Sequence, residues 1–336
     1  MAHRYENNAE GLSSKKCNLR HIPSFLHYVN REFDEVLIPM DVVKETARRI
    51  RALEIQGATN VAIAAVNALS EQIQLSEKVD RISILSQIEE AKEILFASRE
   101  TEPFMRNAIR YVEWRLKNGE WKDREELREL VHGVSEGFLE GFRAATDIMV
   151  NVGARRINSD SVVLTHCHSS AVSKVFVEAK RKGVGFRAIC TETRPKYQGR
   201  ITARELLEAG IDTTMVVDSA MRSFLKEADL VLVGADAITS EGNVINKIGT
   251  SQLALAADEA RVPLYVVSTL LKFDPQTIHG EYEVIEERGP DEIWPDAPGG
   301  LRIRNPAFDV TRREYIHGIV CEEGVISPHS ILEAVR

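Results

Sequence analysis

Along this chain the spacing of apolar positions changes once, near residue 160. Before that point apolar residues recur at intervals of three and four. In VVKETARRIRALEI, Val42, Thr46, Ile50 and Leu53 fall near one helical face, and Asp41 stands where it can cap the helix. VAIAAVNALSEQI is apolar almost all round at its start, which predicts a buried helix. KVDRISILSQIEEAKEILFAS and FMRNAIRYVEWRLKNG keep the period, and Asn118-Gly119 stops the second. REELRELVHGVSEGFLEGFRAATDIMVNVGARRI predicts one long helix. This half gives no strand signal.

From Ser161 short β-branched runs take over. SVVLTHC, FRAICT, TTMVVD, DLVLVGAD and PLYVVST read as strands. AVSKVFVEAKRKG, ARELLEAG, MRSFLKEA and TSQLALAADEARV read as the helices between them. Short apolar strands alternating with such helices predict βαβ units and a parallel sheet. The fold class is therefore α/β, with a helical N-terminal domain over 40–154 and a parallel-sheet domain over 155–336. Residues 1–39 are polar and weakly patterned. They are expected to form an N-terminal extension, either disordered or ahead of the true start.

Composition narrows this picture modestly. Hydrophobic residues make up 43% and charged residues 28% of the 336 residues, the range of a soluble globular protein. The net charge of -8 gives no basic field for a nucleic acid, so an anionic ligand must be held by local groups. No apolar run approaches the roughly 20 residues of a spanning helix, which argues against a membrane partner. The first residues lack the apolar segment of a secretory signal. Cys17, Cys167, Cys190 and Cys321 are irregularly spaced and read as free thiols of a reducing, cytoplasmic compartment.

Ligands of such sheets sit off the carboxyl ends of the strands. Those ends read THCHSS, CTETRPKYQG, VDSA, GADAITSEGN and STLLKFDP, all rich in reactive side chains. Cys167 follows the first strand and precedes a helix starting near Ser170. That placement is expected to lower its pKa, and protonated neighbours His166 and His168 would act in the same sense. A buried structural cysteine is the alternative. Adjacent His-Cys-His side chains point to alternate faces of an extended segment, which disfavours a metal. Asp236 ends DLVLVGAD on the same edge, as a general acid or as a turn cap. Two titratable groups of different type at neighbouring strand ends say more than either alone. Asn246, Lys247, Gly249 and Thr250 precede a helix and form either a phosphate cradle or a plain capped start. Arg194 can grip a phosphate bidentately and Gln198 can bond sugar hydroxyls, unless their loop is simply solvated. Lys272 is a further candidate cation.

Taken in order, THCHSS, CTETRPKYQGRITARELLEAGI, VVDSAM, GADAI, VINKIGTSQLAL and NPAFDVTRREYI resemble the aldose-1-phosphate isomerases related to the regulatory subunits of translation initiation factor 2B. The likeness runs from about Val42 to the C-terminus and is densest from Ser161 to Lys272. It implies a Rossmann-like catalytic domain, with Cys167 and Asp236 as the proton-transfer pair. It implies that Gly57, Ala58, Arg99, His168, Arg194, Gln198, Gly199, Asn246, Lys247 and Lys272 bind substrate. It implies no cofactor and no metal, a sugar phosphate as partner, and a homo-oligomer, dimer or hexamer. Members of the family can respond to AMP as an activator, and no motif here marks such a site. His168 after the cysteine and the Lys272-Phe273 pair resemble the branch that converts ribose 1,5-bisphosphate to ribulose 1,5-bisphosphate in nucleotide salvage. Methylthioribose 1-phosphate is the alternative substrate. A non-catalytic regulatory subunit is the alternative class, and retention of Cys167 argues against it. Two departures stand out. Gln56 occupies the place of a phosphate-binding arginine, and Arg99 is followed by Glu100 and Glu102, with Arg106 as a candidate compensating cation.

Overall fold

The helical period of the first half becomes α1 (Asp41–Arg51), α2 (Ala58–Leu75), α3 (Arg81–Phe96), α4 (Pro103–Asn118) and α5 (Arg124–Ala154). The computed structural model describes residues 41–99, 101–281 and 284–336. The expected extension over 1–39, with Cys17, lies outside the described residues, as does Glu100. Local chemistry sets the helix starts. Asp80 accepts from the Ser83 N–H at 2.9 Å, and Pro103 opens α4. Asp123 accepts from the Glu125 and Glu126 N–H groups, both at 3.0 Å. Helix α1 ends at Arg51, short of the apolar pattern, because Leu53 turns left-handed at φ +59°.

These helices bury Ile50, Leu69, Ile88, Phe104, Ile109 and Val131 in a common core. Each such side chain contributes about 1.5–3 kcal/mol on leaving water. Helix α5 runs on beyond that core, and its last turns (Met149, Val150, Ala154) join the sheet's own core.

The second half is doubly wound. It comprises β1 (Val162–Thr165), α6 (Ser170–Arg181), β2 (Arg187–Thr191), α7 (Gly199–Glu208), β3 (Asp212–Val216), α8 (Met221–Phe224) and β4 (Leu230–Val233). Then come β5 (Ala237–Ile238), β6 (Val244–Lys247), α9 (Thr250–Ala260), β7 (Leu264–Val267), β8 (Phe308–Thr311), β9 (Gly318–Cys321), β10 (Gly324–Ile326) and α10 (Ile331–Ala334). The main sheet has the order β10-β9-β7-β4-β1-β2-β3 and is parallel except for β10. The short β5, β6 and β8 form a separate antiparallel sheet. From β1 the chain winds outward to β2 and β3, then returns to lay β4 and β7 on the other side. The order therefore reverses between β1 and β4, the point where such sheets open a crevice. Among the described residues no helix is long and apolar enough to cross a membrane.

Candidate active site

A cavity of about 470 Å³ opens at that reversal. Cys167, after β1, and Asp236, after β4, both line it. Its walls also include the α2 N-terminus (Gly57, Ala58), the α6 N-terminus (Ser169, Ser170), and Thr146 and Met149 of α5. The helical core thus closes over the strand ends.

The thiol differs from the sequence expectation. Burial pushes the Cys167 pKa up to about 11, although Lys247 and the His168 N–H pull it down. The expected lowering fails because the thiol is only 7% exposed. His166 cannot help, since burial also lowers its pKa and keeps it neutral. Asp236 is half-buried, with its backbone N–H donated to Ile245 O at 2.8 Å.

Asn246 and Lys247 come from β6, and both are buried. Thr250 does not cap α9. Its hydroxyl donates to Lys247 O at 2.6 Å and receives the Asn246 carboxamide at 3.0 Å. The cap is Asp309, which accepts from the Gly249 N–H at 2.7 Å and the Ser251 N–H at 3.1 Å. The α9 start is therefore a capped helix, and an internal carboxylate already holds the donors expected to cradle phosphate. The helix starts that do open on the cavity are those of α2 and α6. Gly57, at φ +80°, supplies no side-chain cap to α2, so its first N–H groups are available to an anion.

Arg99 is buried, with Nε 3.5 Å from Glu102 and 3.6 Å from Glu286. Its Nε and Nη1 have no hydrogen-bond partner, and it lines the cavity. Glu102 lies fully buried behind it, and burial raises its pKa to about 7 against the pull of Arg99. Lys272 donates to Ala235 O at 2.6 Å, and burial lowers its pKa. Asn107 of α4 steadies that segment by donating to Leu271 O and Phe273 O at 2.9 and 2.7 Å. The Gln198 Oε1 is buried without a partner on the cavity wall. His168 also lines the cavity and bonds Thr202 through Nδ1 at 3.1 Å.

Two expected substrate contacts stand elsewhere. Arg194 is exposed, donates to the Tyr197 hydroxyl at 2.6 Å and faces a separate hollow with Arg304 and Asn305. Gly199 is absent from the cavity lining and serves packing instead. A Cβ there would sit 1.7 Å from Thr191 O, so only glycine lets α7 start against β2. The Gln56 carboxamide turns back to Leu53 O at 2.7 Å. Arg106 pairs with Asp274 at 3.6 Å and does not line the cavity. Two cavity cations escaped the sequence reading, the exposed Lys174 and the largely enclosed Arg288. Arg288 is the more informative of the two. It lines the cavity, its side chain is 7% exposed, and its Nε donates to Glu286 at 2.9 Å. It sits in the charged run Glu286-Glu287-Arg288, where nothing in the pattern distinguishes it from surface charge. Among the described residues no group of three or more His, Cys, Asp and Glu side chains could hold a metal ion.

Comparison with known proteins places this arrangement. The model of the initiation factor 2 subunit family matches residues 54–328. The chain belongs to that family. A ribose 1,5-bisphosphate isomerase of Methanocaldococcus jannaschii is 42% identical over 291 residues, covering 86% of this chain and 92% of that protein. The solved translation initiation factor eIF-2B of Pyrococcus horikoshii superposes with a TM-score of 0.74 at 31% identity, covering 86% of this chain and 98% of that one. The 5-methylthioribose 1-phosphate isomerase of Pyrococcus horikoshii gives 0.73 at 26% identity, covering 87% of both chains.

Proposed function

We propose that this chain is a sugar-phosphate isomerase that converts ribose 1,5-bisphosphate to ribulose 1,5-bisphosphate, with Cys167 as base and Asp236 as acid. The observation that carries the reading is a thiol and a carboxyl lining one cavity at the strand-order reversal, together with Arg99, Lys174, Lys247, Lys272 and Arg288. So many cations suit two phosphates better than one phosphate and a thioether. Kinship with proteins named for this reaction supports the same substrate.

The chemistry explains the pair. A sugar phosphorylated on its anomeric oxygen has no free aldehyde, so it cannot open to the usual enediol. The Cys167 thiolate takes the C2 proton and the electron pair forms a C1–C2 double bond. The bond from C1 to the ring oxygen breaks, and that oxygen takes the proton of Asp236. The resulting enol phosphate regains a proton at C1 from the thiol, while Asp236 accepts the C2 hydroxyl proton and the ketone appears. Acid–base groups so placed each contribute about 10²–10⁴-fold. Making the thiolate near neutral pH from a pKa of about 11 costs about 5 kcal/mol, a figure that already includes the favourable pull of the Lys247 ammonium. Ribose phosphate released from nucleotides is the source of substrate on this reading.

The test is to incubate the purified protein separately with ribose 1,5-bisphosphate and with methylthioribose 1-phosphate, and to follow ketose formation by NMR. Ketose from the bisphosphate supports the proposal. Preferential turnover of the methylthio sugar would replace the substrate, and no turnover of either would favour a regulatory subunit.

A further inference from the structure

Cys167 holds an unusual backbone conformation. Its φ is +68°, in the left-handed region that costs an ordinary side chain energy and that glycine tolerates. No glycine stands at this position or beside it. Both peptide groups of the residue are instead held by side chains. The Cys167 N–H donates to Thr193 Oγ1 at 3.0 Å, and the Thr202 hydroxyl donates to Cys167 O at 3.0 Å. Both threonines are buried, at 0% and 1% exposure. Thr193 is itself left-handed at φ +62°, a conformation rare for a β-branched residue. Asp218 pins it there, accepting from the Thr193 N–H at 2.8 Å and the Arg194 N–H at 2.7 Å.

The protons around Thr193 are ordered as far as its own hydroxyl, which has two acceptors within reach. His166 Nε2 lies 2.8 Å from Ile248 O, and a carbonyl only accepts, so Nε2 carries the proton. In the neutral ring Nδ1 is then an acceptor, and the Thr191 hydroxyl at 2.6 Å donates to it. The Thr193 hydroxyl donates to the Thr191 hydroxyl oxygen at 3.3 Å or to the Thr191 carbonyl at 3.5 Å, and in either case its own oxygen receives the Cys167 N–H. Through the first of these acceptors a directed chain runs from the backbone of Cys167 to Ile248, in the segment after Asn246 and Lys247. Thr202 completes the other side, because its one proton goes to Cys167 O and its oxygen faces His168 Nδ1 at 3.1 Å.

We propose that Thr193 and Thr202 are positioning residues whose hydroxyls clamp the two peptide groups of Cys167 in its left-handed turn and so aim the thiol into the cavity. The proposal rests on the reading of Cys167 as the base. Neither threonine lines the cavity. Thr193 therefore acts through the placement of the thiol alone, while Thr202 also holds His168 of the cavity wall, and a misplacement of about 1 Å costs about 10²-fold in rate.

The experiment compares Thr193→Val and Thr202→Val, near-isosteric changes that delete the hydroxyls, with Thr193→Ser and Thr202→Ser, which retain them. With ribose 1,5-bisphosphate, each valine variant is expected to lose about 10- to 100-fold in kcat, and in Thr193→Val, which touches no cavity-lining residue but Cys167, KM moves by less than about threefold. Each serine variant is expected to recover most of the loss. The two valine changes act on opposite peptide groups, so either one carries the test if the other does not fold. A near-normal kcat in a folded valine variant, or a serine variant as impaired as its valine counterpart, overturns the clamp. A crystal structure of a valine variant separates this failure from failure of the isomerase reading. The clamp predicts that Cys167 leaves the left-handed region whether or not the wild type turns over the bisphosphate, and a residue still held near +68° contradicts it.

Discussion

Replacing Glu102 with glutamine isolates the least conventional charge in the site. The carboxyl is fully buried, neither oxygen has a hydrogen-bond partner, and its nearest cation is Arg99 at 3.5 Å. Burial raises its pKa from 4.5 to about 7, with Asp236 acting in the same sense and Arg99, Lys272 and Arg106 opposing. That difference corresponds to about 3 kcal/mol between the two charge states. The folded chain therefore binds a proton that the unfolded chain has already released between about pH 4.5 and pH 7. Stability is fully present below the lower value and falls as pH rises through the upper one, by about 1.4 kcal/mol per pH unit between them. Glu102→Gln has nothing to ionise and lacks this component. Asp309, whose pKa burial raises to about 6, contributes equally to both proteins. The assay is urea unfolding of both proteins across about pH 5 to pH 8. The stability of the variant relative to wild type should rise by about 2–3 kcal/mol over that range. A difference that stays constant with pH would show that Glu102 is ionised throughout, and would refute the reasoning.

Three further outcomes follow from the same geometry. Alkylation of Cys167 by iodoacetamide should accelerate about tenfold per pH unit from about pH 7 to pH 9, because the thiolate is the reacting form and its pKa lies near 11; a plateau in that range would contradict the raised value. Arg288→Gln removes a charged donor from the cavity and should raise KM for the bisphosphate about 10- to 100-fold, since hydrogen bonds to charged groups are worth about 1.5–3 kcal/mol; an unchanged KM would remove Arg288 from the site. Gly199→Ala forces a Cβ to within 1.7 Å of Thr191 O and should lower stability by about 1–3 kcal/mol in thermal or urea unfolding, whereas a neutral change would mean that α7 shifts freely.

The α/β class and the strands β1, β2, β3, β4 and β7 were legible because each is a run of apolar, β-branched residues next to a helical period. Strands β9 and β10 and the small sheet of β5, β6 and β8 were not. β5 and β10 hold only two and three residues, β6 and β8 mix polar residues into VINK and FDVT, no helical period adjoins β9, and the small sheet's pairing depends on distant partners such as Asn246 opposite Asp309. The same limit governs the site. Cys167 and Asp236 stood out because each lies just past a strand end, two residues after β1 and three after β4. The raised thiol pKa did not, since it reflects burial that several distant elements create together. Arg194 lies in a polar segment that resembles a phosphate loop, yet its guanidinium bonds the Tyr197 hydroxyl three residues on. Arg288 gave the opposite error, a cavity cation within an unremarkable charged run. Glu102 follows Arg99 closely in the sequence, and it lies fully buried 3.5 Å from that guanidinium and outside the cavity lining.

The roles of Cys167 and Asp236 are tested most directly by turnover of ribose 1,5-bisphosphate by the wild type, Cys167→Ser and Asp236→Asn proteins side by side, with folding of each checked by circular dichroism. The wild type should form ribulose 1,5-bisphosphate, and each folded variant should be slower by at least about 10²-fold. Near-normal turnover by either variant, or a wild type that leaves the bisphosphate unchanged, would contradict those roles.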